Sequence, residues 1–392
     1  MAKIDCVFFD AGGGHRNAAT AIRAAIEQQQ RPWEVNLINL QEILDPLDIF
    51  RKLTGLRLQD VYNLLLKKGW TLGSAQLVRP MQAIIRLYHR KQLPLIEGYL
   101  RQSRPDLLVS FVPHFNRALR ESLENALPAV PFVTIPTDFA DYPPHFWLER
   151  QRQFLICGSE RIVEQAKSLG HSEDSIFRTS GMILHPRFYE PVVADRCSER
   201  KRLGLEPGLP TALVLFGGQG SAVMLDIASR LDSSKLDMQL ILICGRNNKL
   251  AQKLRERRWR RPAFVEGFTA EVPYYMHLSD FFIGKPGPGS ISEALAMKLP
   301  VIVERNAWTL PQERYNATWI QEKQVGVVLA NFRRIDKAVA ELLSRGVLGR
   351  YRANAASINN RAVFEIPEIL QLILRGSGGR DPRFPSPAQS AI

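Results

Sequence analysis

The sequence predicts an α/β protein made of two doubly wound domains. Short apolar runs recur along the chain, each followed by a polar or glycine-rich turn and then a stretch of helical spacing. The opening unit is repeated in kind near the middle: Cys6–Phe9 runs into a glycine cluster and a helix, and so does Ala212–Phe216. At 392 residues the chain is also too long for one compact core.

The first domain is expected over residues 1–190. Met1–Asp5 leads straight into the first strand, which leaves no room for a signal peptide. Asp10-Ala11-Gly12-Gly13-Gly14-His15-Arg16 follows, then a helix from Asn17 to Gln29 with Ala18, Ala21, Ile22, Ala25 and Ile26 at helical spacing. This is a Rossmann-type first turn without the G-x-G-x-x-G order, so no dinucleotide is implied. A His at the mouth of such a turn can serve as a base toward a substrate hydroxyl, or can simply cap and pack.

Val35–Leu40 is the next strand, and residues 51–104 read as a long, mostly helical, basic insertion. It holds eleven cations, among them Lys67, Lys68, Arg86 and Arg90, against Asp60 and Glu97. Leu64, Leu65, Leu66, Trp70, Ile84, Ile85, Leu87 and Tyr88 lie between the charges. That mixture suits a helix lying on an anionic membrane surface; a solvated basic face over the core is the competing reading. Strands at Asp106–Phe111, Phe132–Ile135 and Phe154–Cys157 end in His114, Asp138 and Ser159, on the edge of the sheet where α/β sites lie.

Residues 186–210, with Pro186, Pro191, Pro207 and Pro210, read as a linker, and the second domain is expected over residues 191–374. After Ala212–Phe216 come Gly217-Gly218-Gln219-Gly220-Ser221 and a helix from Ala222 to Leu231. Leu240–Cys244 ends in Gly245-Arg246-Asn247, and Ala263–Val265 leads to Gly267-Phe268. Phe281–Ile283 then runs into Lys285-Pro286-Gly287-Pro288-Gly289-Ser290 and a helix from Ile291 to Lys298. Ser290 and Glu293 have the spacing of a capping box, and such a turn offers backbone N–H groups and a positive dipole end to a phosphate. Gln312 and Glu313 fall in the loop after the next strand. Helices at Ile335–Leu343 and around Asn354–Leu374 close the domain, and 375–392, rich in Gly, Pro and Ser, is expected to be a disordered tail.

Composition sets outer limits. The apolar share of 45% and charged share of 23% are ordinary for a soluble protein. The formal charge of +13 suits an acidic partner. Cys6, Cys157, Cys197 and Cys244 lack metal-ligand spacing and read as reduced thiols in a cytosolic setting. No apolar run approaches the ~18 residues that span a bilayer.

Seven pieces, in order over roughly residues 4 to 330, resemble the GT-B glycosyltransferase family that holds monogalactosyldiacylglycerol synthases and the peptidoglycan-precursor N-acetylglucosaminyltransferase. They are Gly12–Arg16 (GGGHR), Pro136–Phe139 (PTDF), Phe216–Ser221 (FGGQGS), Ile243–Asn247 (ICGRN), Glu266–Phe268 (EGF), Lys285–Ala294 (KPGPGSISEA) and Leu310–Ala317 (LPQERYNA). The Ile243–Asn247 and Lys285–Ala294 pieces lean toward the diacylglycerol branch, and Phe216–Ser221 toward the peptidoglycan branch.

The resemblance implies two Rossmann-like domains facing a cleft, and inverting transfer of a hexose from a UDP-sugar to a lipid hydroxyl. His15 becomes the expected base, Gly13 and Gly14 lie beside sugar and acceptor, and Arg16 falls on the acceptor side. Asp138 lines the cleft on the acceptor side or caps the next helix. Gly218, Gln219, Gly220, Ser221, Gly287, Gly289 and Ser290 face the diphosphate, with Arg246 as a charged partner. Glu293 accepts from the ribose hydroxyls, Phe268 belongs to the donor wall, and Gln312 and Glu313 meet the sugar. No D-x-D pair is present, so neither a metal nor another cofactor is expected. Diacylglycerol is the preferred acceptor and galactose the preferred sugar, on the cytoplasmic face of a membrane and without a transmembrane helix. N-acetylglucosaminyl transfer to a polyprenyl-linked or lipopolysaccharide-type acceptor is the alternative, as is a non-catalytic sugar-nucleotide-binding protein. Nucleic acid is not an expected partner.

Overall fold

Ile4 and the run Cys6-Val7-Phe8 put apolar side chains on both faces of one short segment, which only a strand covered on both faces can hide, and β1 (Ala2–Phe8) is such a strand. The computed structural model describes residues 1–10, 13–47 and 82–377. β1 pairs in parallel with β2 (Trp33–Asn39) and β3 (Leu107–Ser110). β4 (Phe132–Thr134), β5 (Phe154–Cys157) and β6 (Ile176–Arg178) complete a parallel sheet in the order β2-β1-β3-β4-β5-β6.

The second sheet comprises β7 (Thr211–Leu215), β8 (Gln239–Ile243), β9 (Ala263–Glu266), β10 (Phe281–Gly284), β11 (Val301–Glu304) and β12 (Gly326–Leu329). Its order is β12-β11-β10-β7-β8-β9, again parallel throughout. Strand order reverses between β1 and β3 in one sheet and between β7 and β10 in the other. Those switch points open crevices at the carboxyl ends of the strands, where α/β proteins bind ligands.

α1 (Gly14–Gln28) buries Ala18, Ala19, Ala21, Ile22, Ala25 and Ile26. It begins three residues before the apolar spacing predicts, so Gly14, His15 and Arg16 form its first turn. Gly13 is the N-cap at φ 82, a left-handed conformation open to glycine at no steric cost. After α2 (Leu40–Leu44), the crossover to β3 ends in α3 (His89–Ser103), which packs on α4 (Asn116–Ala126) with Ile96 and Leu100 fully buried. The latter half of the expected insertion is therefore part of the first domain's helical layer. Residues 48–81, with Lys67, Lys68 and Trp70, lie outside the described residues.

α5 (Glu160–Ser168) closes the first sheet, and the chain enters the second through α6 (Arg196–Arg202). The expected linker is thus already structured at Arg196, and the Arg200 guanidinium is buried against the carbonyls of Leu278, Pro207 and Leu209. α7 (Val223–Ser233), α8 (Asn248–Arg255), α9 (Val272–His277), α10 (Pro288–Ala296), α11 (Arg314–Glu322) and α12 (Ile335–Leu342) cover the second sheet.

The end of the chain corrects the sequence reading. One helix was expected over 354–374 as the close of the second domain. There are two, α13 (Val347–Ser357) and α14 (Ala362–Ser377), and only α13 stays on the second sheet. α14 returns to the first and lays Val363, Ile366, Leu370 and Ile373 into the core beneath α1. It runs past the expected start of the tail, and 378–392 lie outside the described residues. The two crossings between lobes touch each other: Asn360 Nδ2 donates to the Met182 carbonyl at 2.8 Å, and Arg361 N donates to Ser180 Oγ at 2.6 Å. A Cβ on Gly181 would lie 2.6 Å from the Asn360 side chain, so any larger residue there would displace Asn360 from its bond to the Met182 carbonyl.

Candidate active site

His15 stands in the first turn of α1, at the first sheet's switch point. Its Nδ1 lies 3.1 Å from Thr137 Oγ1, and its ring meets Trp147 edge-on with centroids 5.4 Å apart. Burial pushes its pKa down to about 4, so the imidazole is neutral across the ordinary pH range. Trp147, fully buried, donates its indole N–H to Asp138 Oδ2 at 2.9 Å. Asp138 therefore braces the tryptophan on which His15 rests. It does not cap the next helix, α5, where Ser159 accepts from Ile162 N. Burial, with Glu313 nearby, raises Asp138 to about 7 despite the Trp147 hydrogen bond.

His114 is a second imidazole close enough for its charge to couple to His15, and burial pushes it down to about 4. Its Nε2 is buried without a partner among the described residues. With Arg86, Arg117, His145 and Glu149 it borders a small cavity of about 20 Å³, room for one water. Arg86 and Arg90 are exposed, and so are Ile84, just before Arg86, and Leu87, between the two. Arg16 pairs with Asp10 at 3.1 Å on the surface beside His15.

The other wall is built from loops of the second sheet. Gly220, at φ 64, lies where a Cβ would come within 2.3 Å of the Cys244 carbonyl oxygen. Gly245, at φ 57, lies where a Cβ would meet Gly218 O at 2.4 Å, and Arg246 N donates to the same carbonyl at 2.9 Å. The loops after β7 and β8 are thus pressed backbone to backbone in front of α7. Gln219 and Ser221 sit on the first of them, and Ser221 Oγ accepts from Val223 N at 3.5 Å. Arg246 lies over the exposed Phe268 ring, 4.8 Å from its centroid.

α10 begins differently from the sequence expectation. Its N-cap is Gly287, with Pro288 in the first position, and no side chain caps it. Ser290 lies inside the first turn beside Gly289, so the capping box does not form. That frees the Glu293 carboxylate, which has no hydrogen-bond partner among the described residues. Burial raises its carboxyl to about 7 against the pull of Arg187.

Lys285 reaches between the glycine turns and meets Glu313 Oε1 at 2.8 Å. Glu313 and Gln312 occupy a short turn, Pro311–Glu313, ahead of α11. Buried Asn316 on α11 donates to the Pro286 carbonyl at 2.8 Å and holds that turn against the start of α10.

The predicted residues thus fall into two groups: Gly13, Gly14, His15, Arg16 and Asp138 on one wall; Gly218–Ser221, Arg246, Phe268, Gly287–Ser290, Glu293, Gln312 and Glu313 on the other. The charges of Lys285 and Glu313 act on Asp138 across the cleft, and Phe139 meets Trp319 with centroids 4.7 Å apart. Sequence reasoning missed the roles of Thr137 and Trp147. Thr137 lay within a quoted motif; Trp147 carried no signal of spacing.

Residues 211–372 match the glycosyltransferase family 28 C-terminal domain. The chain is 28% identical to monogalactosyldiacylglycerol synthase 1 of Arabidopsis thaliana, over 86% of this chain and 64% of that protein. It is also 28% identical to a probable monogalactosyldiacylglycerol synthase 2 of Oryza sativa subsp. indica, over 91% and 77%. It therefore spans less than two thirds of the Arabidopsis relative. Among solved structures, MurG of Acinetobacter baumannii superposes with a TM-score of 0.62 at 12% identity, covering 95% of this chain and all of that one. The Neisseria meningitidis UDP-GlcNAc 2-epimerase, solved with UDP-GlcNAc, superposes at 0.59 with 14% identity, over 95% and 99%. These likenesses show the two-lobed GT-B fold.

Proposed function

We propose that this chain is an inverting glycosyltransferase that moves a hexose, galactose by preference, from a UDP-sugar to the hydroxyl of a membrane lipid such as diacylglycerol. The observation that carries the reading is a neutral, oriented imidazole, His15, on one wall of a cleft whose other wall is made of glycine turns and helix N-termini. The kinship with galactolipid synthases adds the substrate class.

With the Nδ1 proton donated to Thr137 Oγ1, Nε2 of His15 keeps its lone pair for the acceptor hydroxyl. The hydroxyl oxygen attacks the anomeric carbon as its proton passes to Nε2, and the bond from that carbon to the UDP oxygen breaks on the opposite face. Backbone N–H groups at Gly218–Ser221 and at Gly289 and Ser290, with Arg246, take up the negative charge that develops on UDP. Glu293 receives the ribose hydroxyls. Exposed Ile84 and Leu87, flanked by Arg86 and Arg90, rest on an anionic bilayer. No described helix is long and apolar enough to cross a membrane, and a surface attachment of this kind needs none.

A second reading, N-acetylglucosaminyl transfer to a polyprenyl-linked acceptor, is favoured by the Phe216–Ser221 turn with its Gln219. Turnover of UDP-galactose, UDP-glucose and UDP-N-acetylglucosamine in liposomes with and without diacylglycerol separates the two. Galactolipid formation that vanishes in His15→Ala, while UDP still binds, is the expected result. UDP binding with no turnover of any donor would leave only a sugar-nucleotide-binding protein.

A further inference from the structure

At the end of the second sheet opposite the glycine turns, one carboxylate carries three guanidiniums. Arg200 meets Asp280 Oδ2 at 2.8 Å, while Arg196 and Arg352 both meet Oδ1, at 2.8 and 2.9 Å. A single negative charge leaves two of these cations uncompensated. Arg200 is buried and spends its other donors on backbone carbonyls. Arg196 and Arg352 are about one-third exposed and use only Nη2 in their hydrogen bonds. Lys298, exposed just past the end of α10, adds a further cation with no acidic partner among the described residues.

These side chains rim a groove of about 500 Å³ with a floor of Met276, Met297 and Leu299. Ala353 and Ala356 of α13 leave one side open. The volume lies in the range of small-molecule sites. Cations around a floor of thioether and aliphatic groups match neither a sugar nor a fully hydrated ion. Guanidiniums take carboxylate or phosphate oxygens in pairs, and methionine adapts to apolar bodies of varied shape.

We propose that this groove binds an amphiphilic anion: one carboxylate or phosphate head on an apolar body. The head lies between Arg196 and Arg352 within reach of Lys298, and the body lies on Met276 and Met297. The position bears on the two lobes. Arg196 is on α6, the first helix after one crossing, and Arg352 is on α13, the last before the other. A ligand held by both would join the roots of the two segments that connect the lobes.

The test is calorimetric titration of the full chain with dodecyl phosphate, dodecanoate, dodecanol and inorganic phosphate, each below any micelle concentration. Saturable binding of one molecule per chain is expected for dodecyl phosphate, dodecanoate or both; the stronger of the two identifies the head group. Dodecanol and inorganic phosphate should bind at least tenfold more weakly. Lys298→Glu should weaken the bound anion tenfold or more. Ala353→Trp, which fills the open side from an exposed helix position, should abolish its binding while UDP affinity and Tm stay at wild-type values. Hydrogen exchange at residues 180–196 and 357–362 should slow on binding. Dodecanol or inorganic phosphate binding as tightly as the amphiphiles, or anion binding unmoved by both substitutions, would overturn the proposal. None of these readouts uses sugar transfer, so they stand or fall apart from the proposed activity.

Discussion

The Nδ1 of His15 and the hydroxyl of Thr137 stand 3.1 Å apart, and this contact sets the orientation of the imidazole. The adjacent carboxylate, Asp138, is engaged with Trp147. A hydroxyl partner orients the ring without adding a charge, so nothing in that contact offsets the burial that holds the imidazole neutral. Thr137→Val should lower kcat roughly tenfold, the worth of one orienting hydrogen bond of about 1 kcal/mol or slightly more. KM for the donor should stay near wild type, and Thr137→Ser should restore the rate. His15→Ala removes the base itself and should cost about 10²- to 10⁴-fold. An equal loss in the valine and serine variants would show that Thr137 acts by packing alone.

Glu293 is the carboxyl of the donor wall that burial holds furthest above its ordinary range beside the start of α10. Its folded pKa, about 7, lies above the ordinary 4.5, so the native state binds more protons than the unfolded chain between those values. Stability contributed by this group is full below pH 4.5 and is lost as pH rises through 7. Glu293→Gln removes that loss and should raise the Tm of the free protein at pH 8. Ribose hydroxyls need the ionised form as acceptor, so UDP affinity should rise with pH through about 7 in the wild type. In the glutamine variant it should be at least tenfold weaker and flat with pH. Titration of UDP at pH 6, 7 and 8 measures both effects. Unchanged affinity would assign the ribose to another residue.

The parts of this site legible in the sequence are those written in backbone constraints. Clustered glycines at Gly217–Gly220 and Gly287–Gly289 after apolar runs can be read as phosphate-facing turns, because few other roles call for such residues there. The cap of α10 differs from the sequence expectation because Ser290 and Glu293 satisfy a side-chain pattern, while Pro288 starts the helix three residues earlier than Ile291. The Thr137–His15 contact joins α1 to the loop after β4, and the Trp147–Asp138 contact closes that irregular loop on itself; a spacing rule reports only on neighbours along one regular element. The return of α14 to the first sheet is a choice between two apolar surfaces of similar character, which helical periodicity cannot distinguish.

Gly245 tests the backbone geometry of the donor wall. A Cβ there would lie 2.4 Å from Gly218 O, in a backbone conformation at φ 57 that side chains rarely adopt. Neither atom belongs to a flexible side chain, so the loops after β7 and β8 must separate. Gly245→Ala should therefore abolish measurable UDP binding while the circular dichroism of both lobes is retained. Gly289→Ala, where nothing lies within 4 Å of the new methyl, should fold without change. Its UDP affinity then reports how closely the ligand approaches the start of α10.

α14 makes the last prediction, because it ties the end of the chain to the lobe that holds His15. Leu370 is fully buried between α1 and the first sheet, with Val363 and Ile366 on the same face. Removing most of such a side chain forfeits its transfer from water and leaves a cavity, together about 2–5 kcal/mol. Leu370→Ala should therefore destabilise the first lobe by that amount and leave the second lobe's intrinsic stability unchanged. Hydrogen exchange separates the two: amides of α1 should exchange faster in the variant, while those of β7 and β8 keep wild-type protection. If the second lobe holds UDP as proposed, UDP should still bind with wild-type affinity at temperatures where the first lobe is already opening. Turnover, which needs His15 in place, should fail at a lower temperature than UDP binding does. Equal acceleration of exchange in both sheets would mean that the lobes unfold as one unit and that α14 supports the whole molecule.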